Sequence, residues 1–155
     1  MTKDNKNIIG DNLEILKPEN KVHINLPFSE AGVAAGFPSP AENYTDISLD
    51  LNEALVKNQS STFFARVRGV SMIEEGIDDG DLLVIDKSLE AYNGSLAVAF
   101  IDGEFTLKRV KIEKECIWLV PSNQNYSPIK VTKDNDFTIW GIVTYLIKDM
   151  KNKKK

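Results

Sequence analysis

Leu96-Ala97-Val98-Ala99-Phe100-Ile101-Asp102-Gly103-Glu104-Phe105-Thr106-Leu107-Lys108-Arg109-Val110-Lys111-Ile112 is the stretch on which the fold turns. Two apolar runs flank Asp102-Gly103, and both central residues of a type I′ turn need positive φ, which Asp-Gly supplies. The pair therefore predicts a tight antiparallel hairpin. Side chains alternate along a strand, so Phe105 and Leu107 face one side while Thr106, Lys108 and Val110 face the other. Lys108 thus projects from a rigid strand beside an apolar valine, a good mount for a base.

The same kind of strand signal recurs outside the hairpin, at residues 62–67, 81–86, 116–120 and 137–147. Asp50 followed three residues on by Glu53 has the spacing of a capping box and predicts one short helix over residues 50–57. Residues 1–30 hold no sustained periodicity, and Gly10, Pro18 and Pro27 interrupt what there is, so they read as an arm. Residues 31–40 become small and then proline-punctuated, the composition of an extended, mobile segment. The predicted fold is mainly β: a compact, mostly antiparallel β domain with one short helix, preceded by an extended N-terminal arm.

The chain has 155 residues and 42% hydrophobic content, enough for one domain with extensions. Residues 148–155 carry five lysines against one aspartate, a net +4 within a total of −4, which leaves −8 for the rest. An acidic body is a poor sequence-independent ligand for nucleic acid, so no strong direct DNA binding by the body is expected. The Lys-rich tail reads as a solvated terminus. Cys116 is the only cysteine, which rules out an intrachain disulfide and a CxxC metal site, and its apolar run predicts a small core residue. With no apolar stretch of signal-peptide or membrane-span length, the protein is expected to be soluble and cytoplasmic, with no membrane partner.

The acidic stretch from Glu74 to Asp81 lacks the alternate-position spacing of an EF-hand loop and reads as a turn with Gly76 and Gly80 at positive φ. Phosphate-loop and dinucleotide-binding patterns are absent, and no metal or cofactor is expected. His23, the only histidine, lies in the arm, so a Ser-His-Asp or Cys-His mechanism would have to recruit that one residue. A serine without histidine needs another base, and a lysine held neutral can serve. Ser71, in Gly69-Val70-Ser71-Met72, follows a strand and a glycine, where backbone amides can be left free for an oxyanion. Taken singly, Ser71 is an ordinary turn residue and Lys108 an ordinary surface lysine. Upstream, Ala34-Ala35-Gly36-Phe37-Pro38-Ser39-Pro40 reads as a peptide that such a pair could cut.

Four blocks together carry a resemblance: Ala35-Gly36-Phe37-Pro38-Ser39-Pro40, Gly69-Val70-Ser71-Met72, Asp79-Gly80-Asp81-Leu82-Leu83, and Asp102-Gly103-Glu104-Phe105-Thr106-Leu107-Lys108. In order and spacing, over about residues 26–147, they resemble the UmuD branch of the LexA/UmuD family of self-cleaving proteins. The resemblance implies a cut between Ala35 and Gly36, with Ser71 as nucleophile and Lys108 as general base. The Val70 and Ser71 amides are the oxyanion candidates. Ala35 stands where the UmuD branch often has Cys; only thirty-five residues precede Gly36, too few for the DNA-binding domain of a repressor.

The implied organisation is an arm at 1–35 removed by self-cleavage, a peptidase and dimerisation domain at 36–147, and a tail at 148–155. The implied partners are a second copy in a homodimer, a RecA filament on single-stranded DNA that stimulates cleavage, and a UmuC-like Y-family DNA polymerase in SOS translesion synthesis. The rivals are a signal peptidase, which should carry a membrane anchor, a non-proteolytic binding module of the same fold, and a fragment of a LexA-type repressor. A free lysine is neutral at pH 7 about once in a thousand or less, so Lys108 has to be desolvated to act. Docking of residues 34–37 over Ser71 is the expected source of that burial.

Overall fold

The structure is a computed structural model, and it describes residues 7–8, 13–17, 25–28, 35–36 and 47–151. The chain divides into two compact units, residues 1–18 with 58–155, and residues 19–57.

The larger unit is built on one antiparallel sheet. Its strands are β1 (Asn7–Ile8), β2 (Leu13–Leu16), β5 (Thr62–Val67), β6 (Leu82–Asp86), β7 (Leu96–Ile101), β8 (Glu104–Ile112), β9 (Ile117–Val120), β10 (Ile129–Val131) and β11 (Phe137–Ile147). Their spatial order is β1-β2-β5-β6-β11-β7-β8-β9-β10. The expected hairpin is β7–β8: Ile101 pairs with Glu104, and Asp102 and Gly103 take φ of 49° and 89°. Asp102 is secured by its own side chain, which accepts from Asn135 Nδ2 at 2.7 Å and the Asp136 N–H at 2.9 Å.

Both faces of β7–β8 are buried, which explains the near-continuous apolar run. Val98, Phe105 and Leu107 join a core with Leu13, Ala65, Met72 and Leu83, while Ala97, Ala99 and Val110 pack with Leu119 and Ile142 on the other face. Ala97 pairs with Lys108 and Ala99 with Thr106, so small residues stand opposite the polar pair, leaving room for a lysine stem. The long strand β11 joins the two halves of the sheet by pairing with both β6 and β7. At Gly141 an added Cβ would lie 2.5 Å from Ile85 Cγ2, so this crossing depends on a missing side chain.

The smaller unit contains β3 (Asn25–Phe28), β4 (Ile47–Asp50) and α1 (Leu51–Leu55), with β3 and β4 paired antiparallel. Asp50 caps the helix by accepting from the Asn52 N–H at 2.9 Å. Ala35 and Gly36 lie in the connection between β3 and β4, in a bend, and both are exposed.

Several expectations need amendment. The segment read as an arm without elements supplies β1 and β2 to the large sheet and β3 to the small one; β4 and β10 were likewise not foreseen. Cys116 is not a core residue: it stands partly exposed in the turn before β9, with Sγ 3.4 Å from Glu113 Oε2, because β9 begins only at Ile117. The start of the tail is pinned, since Lys148 Nζ lies 2.6 Å from Asp78 Oδ2 and 2.5 Å from Asp81 Oδ2. His23, the rest of residues 31–40 and residues 152–155 lie outside the described residues. Among the described residues no helix is long and apolar enough to cross a membrane.

Candidate active site

β5 delivers the serine. The strand ends at Val67, whose N–H donates to Asp81 O and whose carbonyl accepts from Gly80 N–H, both at 2.8 Å. The chain then turns through Gly69, at φ 91°, a conformation L side chains rarely adopt, and the Gly69 N–H donates to Asp79 Oδ1 at 2.7 Å. The acidic stretch is thus a brace behind the serine turn, and Gly76 and Gly80 have positive φ there, as expected.

A second brace comes from the segment after β9. Ser122 N–H donates to the Ser71 carbonyl at 2.9 Å, and Asn123 Nδ2 donates to the Val70 carbonyl at 2.8 Å. Ser122 Oγ donates to Glu75 Oε2 at 3.0 Å, and the Arg109 guanidinium pairs with Oε1 of the same carboxylate. With both carbonyls held from one side, the Val70 and Ser71 N–H groups have no hydrogen-bond partner among the described residues. Such free donors beside a hydroxyl are what an oxyanion requires.

β8 delivers the lysine. Lys108 is 7% exposed, and its Nζ has three polar neighbours: Ser71 Oγ at 3.0 Å, Thr106 Oγ1 at 2.7 Å and Leu107 O at 3.0 Å. Burial, with no carboxylate paired to the ammonium among the described residues, pulls its pKa from 10.5 down to about 8. A neutral amine has two hydrogens and one lone pair. Leu107 O and Thr106 Oγ1 can take the two hydrogens, which turns the lone pair toward the Ser71 hydroxyl.

The two side chains open on a cavity of about 90 Å³ lined by Leu13, Val67–Met72, Thr106–Lys108 and Tyr126. Ser71, Lys108 and the Val70 amide are therefore assembled in one place. Thr106, Ser122, Asn123 and Leu13 were missed by sequence reasoning. Only Thr106 had a local signal, two residues before Lys108 on the same strand face; the others reach the site through long-range pairing.

The sequence from residue 27 to residue 144 matches the family model described as Peptidase S24-like. The chain is 43% identical to Protein MucA of Salmonella typhimurium over 128 residues, covering 81% of this chain and 86% of that protein. It is 39% identical to Protein SamA of Salmonella typhimurium over 136 residues, with 87% and 94% covered. Against the LexA repressor of Stenotrophomonas maltophilia it is 40% identical over 116 residues, 75% of this chain but 54% of the repressor. The chain belongs to the Peptidase S24-like family, whose members are self-cleaving serine peptidases. Within it the chain is a UmuD-like member of the LexA/UmuD group.

Proposed function

We propose that this chain cuts itself once, between Ala35 and Gly36, by a Ser71–Lys108 dyad. The observation that carries the reading is the 3.0 Å contact between Lys108 Nζ and Ser71 Oγ around a lysine whose pKa is lowered to about 8. Neutral Lys108 takes the Ser71 proton as Oγ bonds to the Ala35 carbonyl carbon. The negative charge that develops on the carbonyl oxygen is held by the Val70 and Ser71 amides. The bond to the Gly36 nitrogen then breaks as Lys108 returns the proton to that amine. Water, deprotonated by Lys108, hydrolyses the ester and regenerates Ser71. The products are residues 1–35 and the 120 residues from Gly36 to Lys155.

The exposed bend at Ala35-Gly36 supports this reading, because a scissile bond must be reachable and two small side chains let the backbone approach closely. Lys108 needs less from substrate docking than the sequence led us to expect, since its lowered pKa already places about a tenth of the molecules in the neutral form at pH 7. We assign the docked RecA filament on single-stranded DNA the role of favouring the arrangement in which residues 34–37 meet Ser71. The trimmed protein, a cytoplasmic homodimer, then serves as accessory subunit to a UmuC-like Y-family polymerase in SOS mutagenesis. The likeness to MucA and SamA favours this role over that of a repressor.

The test is incubation with activated RecA filaments, and separately at alkaline pH, with products weighed by mass spectrometry. Fragments of residues 1–35 and 36–155 are expected. Intact chain under both conditions overturns the peptidase reading, and a cut elsewhere overturns the assigned bond. Ser71→Ala and Lys108→Ala should each stop cleavage while the fold, read by circular dichroism, persists.

A further inference from the structure

The two strands at one edge of the large sheet, β1 and β2, come from the segment N-terminal to the proposed cut. β2 pairs with β5 through Leu13↔Val67, Glu14↔Arg66, Ile15↔Ala65 and Leu16↔Phe64, and β1 pairs with β2 in turn. Leu13 and Ile15 are 1% and 6% exposed and share a core with Ala65, Val67, Met72 and Leu107. They stand two residues apart on one strand face, the spacing by which a docked strand inserts its anchors. Leu13 also forms part of the wall of the cavity that holds Ser71 and Lys108. Ala35 and Gly36, by contrast, fall in the other compact unit.

We propose that the cut at 35/36 severs the chain without releasing its N-terminal peptide, which stays on β5 as a non-covalent strand. The outer edge of residues 64–67 is then a strand-docking site whose resident is the chain's own β2. The inference rests on the processing reading above. Breaking a peptide bond between β3 and β4 removes no hydrogen bond of the β2–β5 ladder and unburies neither Leu13 nor Ile15. What is lost is the tether, and with it the effective concentration that held the strand in place. Release is therefore a second step, separately controlled, and any strand that displaces the peptide must offer apolar side chains at alternate positions. While the peptide stays, Leu13 keeps its place on the cavity wall.

The full chain is processed and then measured twice at micromolar concentration. Denaturing mass spectrometry reports whether the bond is cut; native mass spectrometry reports whether residues 1–35 travel with residues 36–155. Where the chain does not cut itself, a version with an endoprotease site replacing residues 37–40 is severed by added protease, so retention is read independently of self-cleavage. Retention, with the amides of residues 64–67 as protected from hydrogen exchange as in the uncut chain, is the expected result. An excess of synthetic peptide of residues 5–18 should exchange with the resident fragment, and the same peptide carrying Ile15→Asp should do so at least about tenfold less well, because a carboxylate would enter an apolar core unpaired. Prompt separation of the fragments after the cut, or equal exchange by both peptides, overturns the proposal.

Discussion

Lys108 is held where a charged amine is unwelcome, and this has consequences for both rate and stability. In the proposed dyad only the neutral amine can accept the Ser71 proton, so spontaneous cleavage should rise about tenfold from pH 7 to pH 9 and level off above a pKa of about 8. A rate that kept climbing tenfold per pH unit to pH 10 would mean an unshifted lysine. The stability effect has a definite sign. The folded pKa lies below the unfolded 10.5, so the unfolded chain binds the extra proton; the penalty is complete below pH 8 and fades as pH rises to 10.5. Lys108→Met should therefore stabilise the protein at pH 7, on the order of 2–3 kcal/mol by denaturant unfolding. That advantage over the parent chain should disappear by about pH 10.5. Thr106→Val removes one of the groups that orient Nζ, and cleavage at pH 9 should fall about tenfold with Ser71 and Lys108 still present.

The strands that carry these side chains were readable to different degrees, for a physical reason. Residues 62–67, 96–101 and 104–112 announce themselves through runs of strand-forming residues and one Asp-Gly turn, signals confined to a few neighbours in the chain. β2 is four residues long and exists because Leu13 and Ile15 find β5 some fifty positions away, which no local window reports. The misplacement of Cys116 has the same origin: an apolar run showed that a strand was present without showing where its register began. The approach of β11 to β6 is likewise tertiary, and Gly141 should be intolerant of a side chain. Gly141→Ala is expected to lower stability by about 1–3 kcal/mol, read as a lower denaturant midpoint, because the methyl of Ile85 is fully buried and cannot move aside cheaply.

Across the molecule, the serine turn is tied to the end of the last strand. Lys148 bridges Asp78 and Asp81, the loop that holds Asp81 also holds Val67, and Asp79 holds Gly69. Asp81 is only 6% exposed, so Lys148→Met leaves a buried carboxylate without its cation. A loss of about 1–2 kcal/mol is expected, together with slower cleavage as the turn loosens. The hydrogen bonds from Lys148 to the two aspartates raise its pKa above 10.5, so this contribution is present at neutral pH and disappears only as pH rises through that raised value. The Lys148→Met deficit should therefore stay constant between pH 6 and pH 9 in thermal melts; a deficit confined to low pH would assign the clamp to another group.

From residue types and spacing came the β class, the hairpin and the absence of a histidine in the body, while the cut at Ala35-Gly36 and the roles of Ser71 and Lys108 came from the resemblance that four short sequence blocks carry. All of these depend on chemistry that acts over one residue or a few neighbours. Folding had to bring Nζ to 3.0 Å from Oγ, strip water from the amine and set Thr106 and Ser122 around the pair. It also moved residues 13–16 from a supposed free arm into the sheet, where Leu13 helps wall the cavity. Burial and long-range strand pairing are properties of what packs against a residue, and the partners lie tens of positions away along the chain.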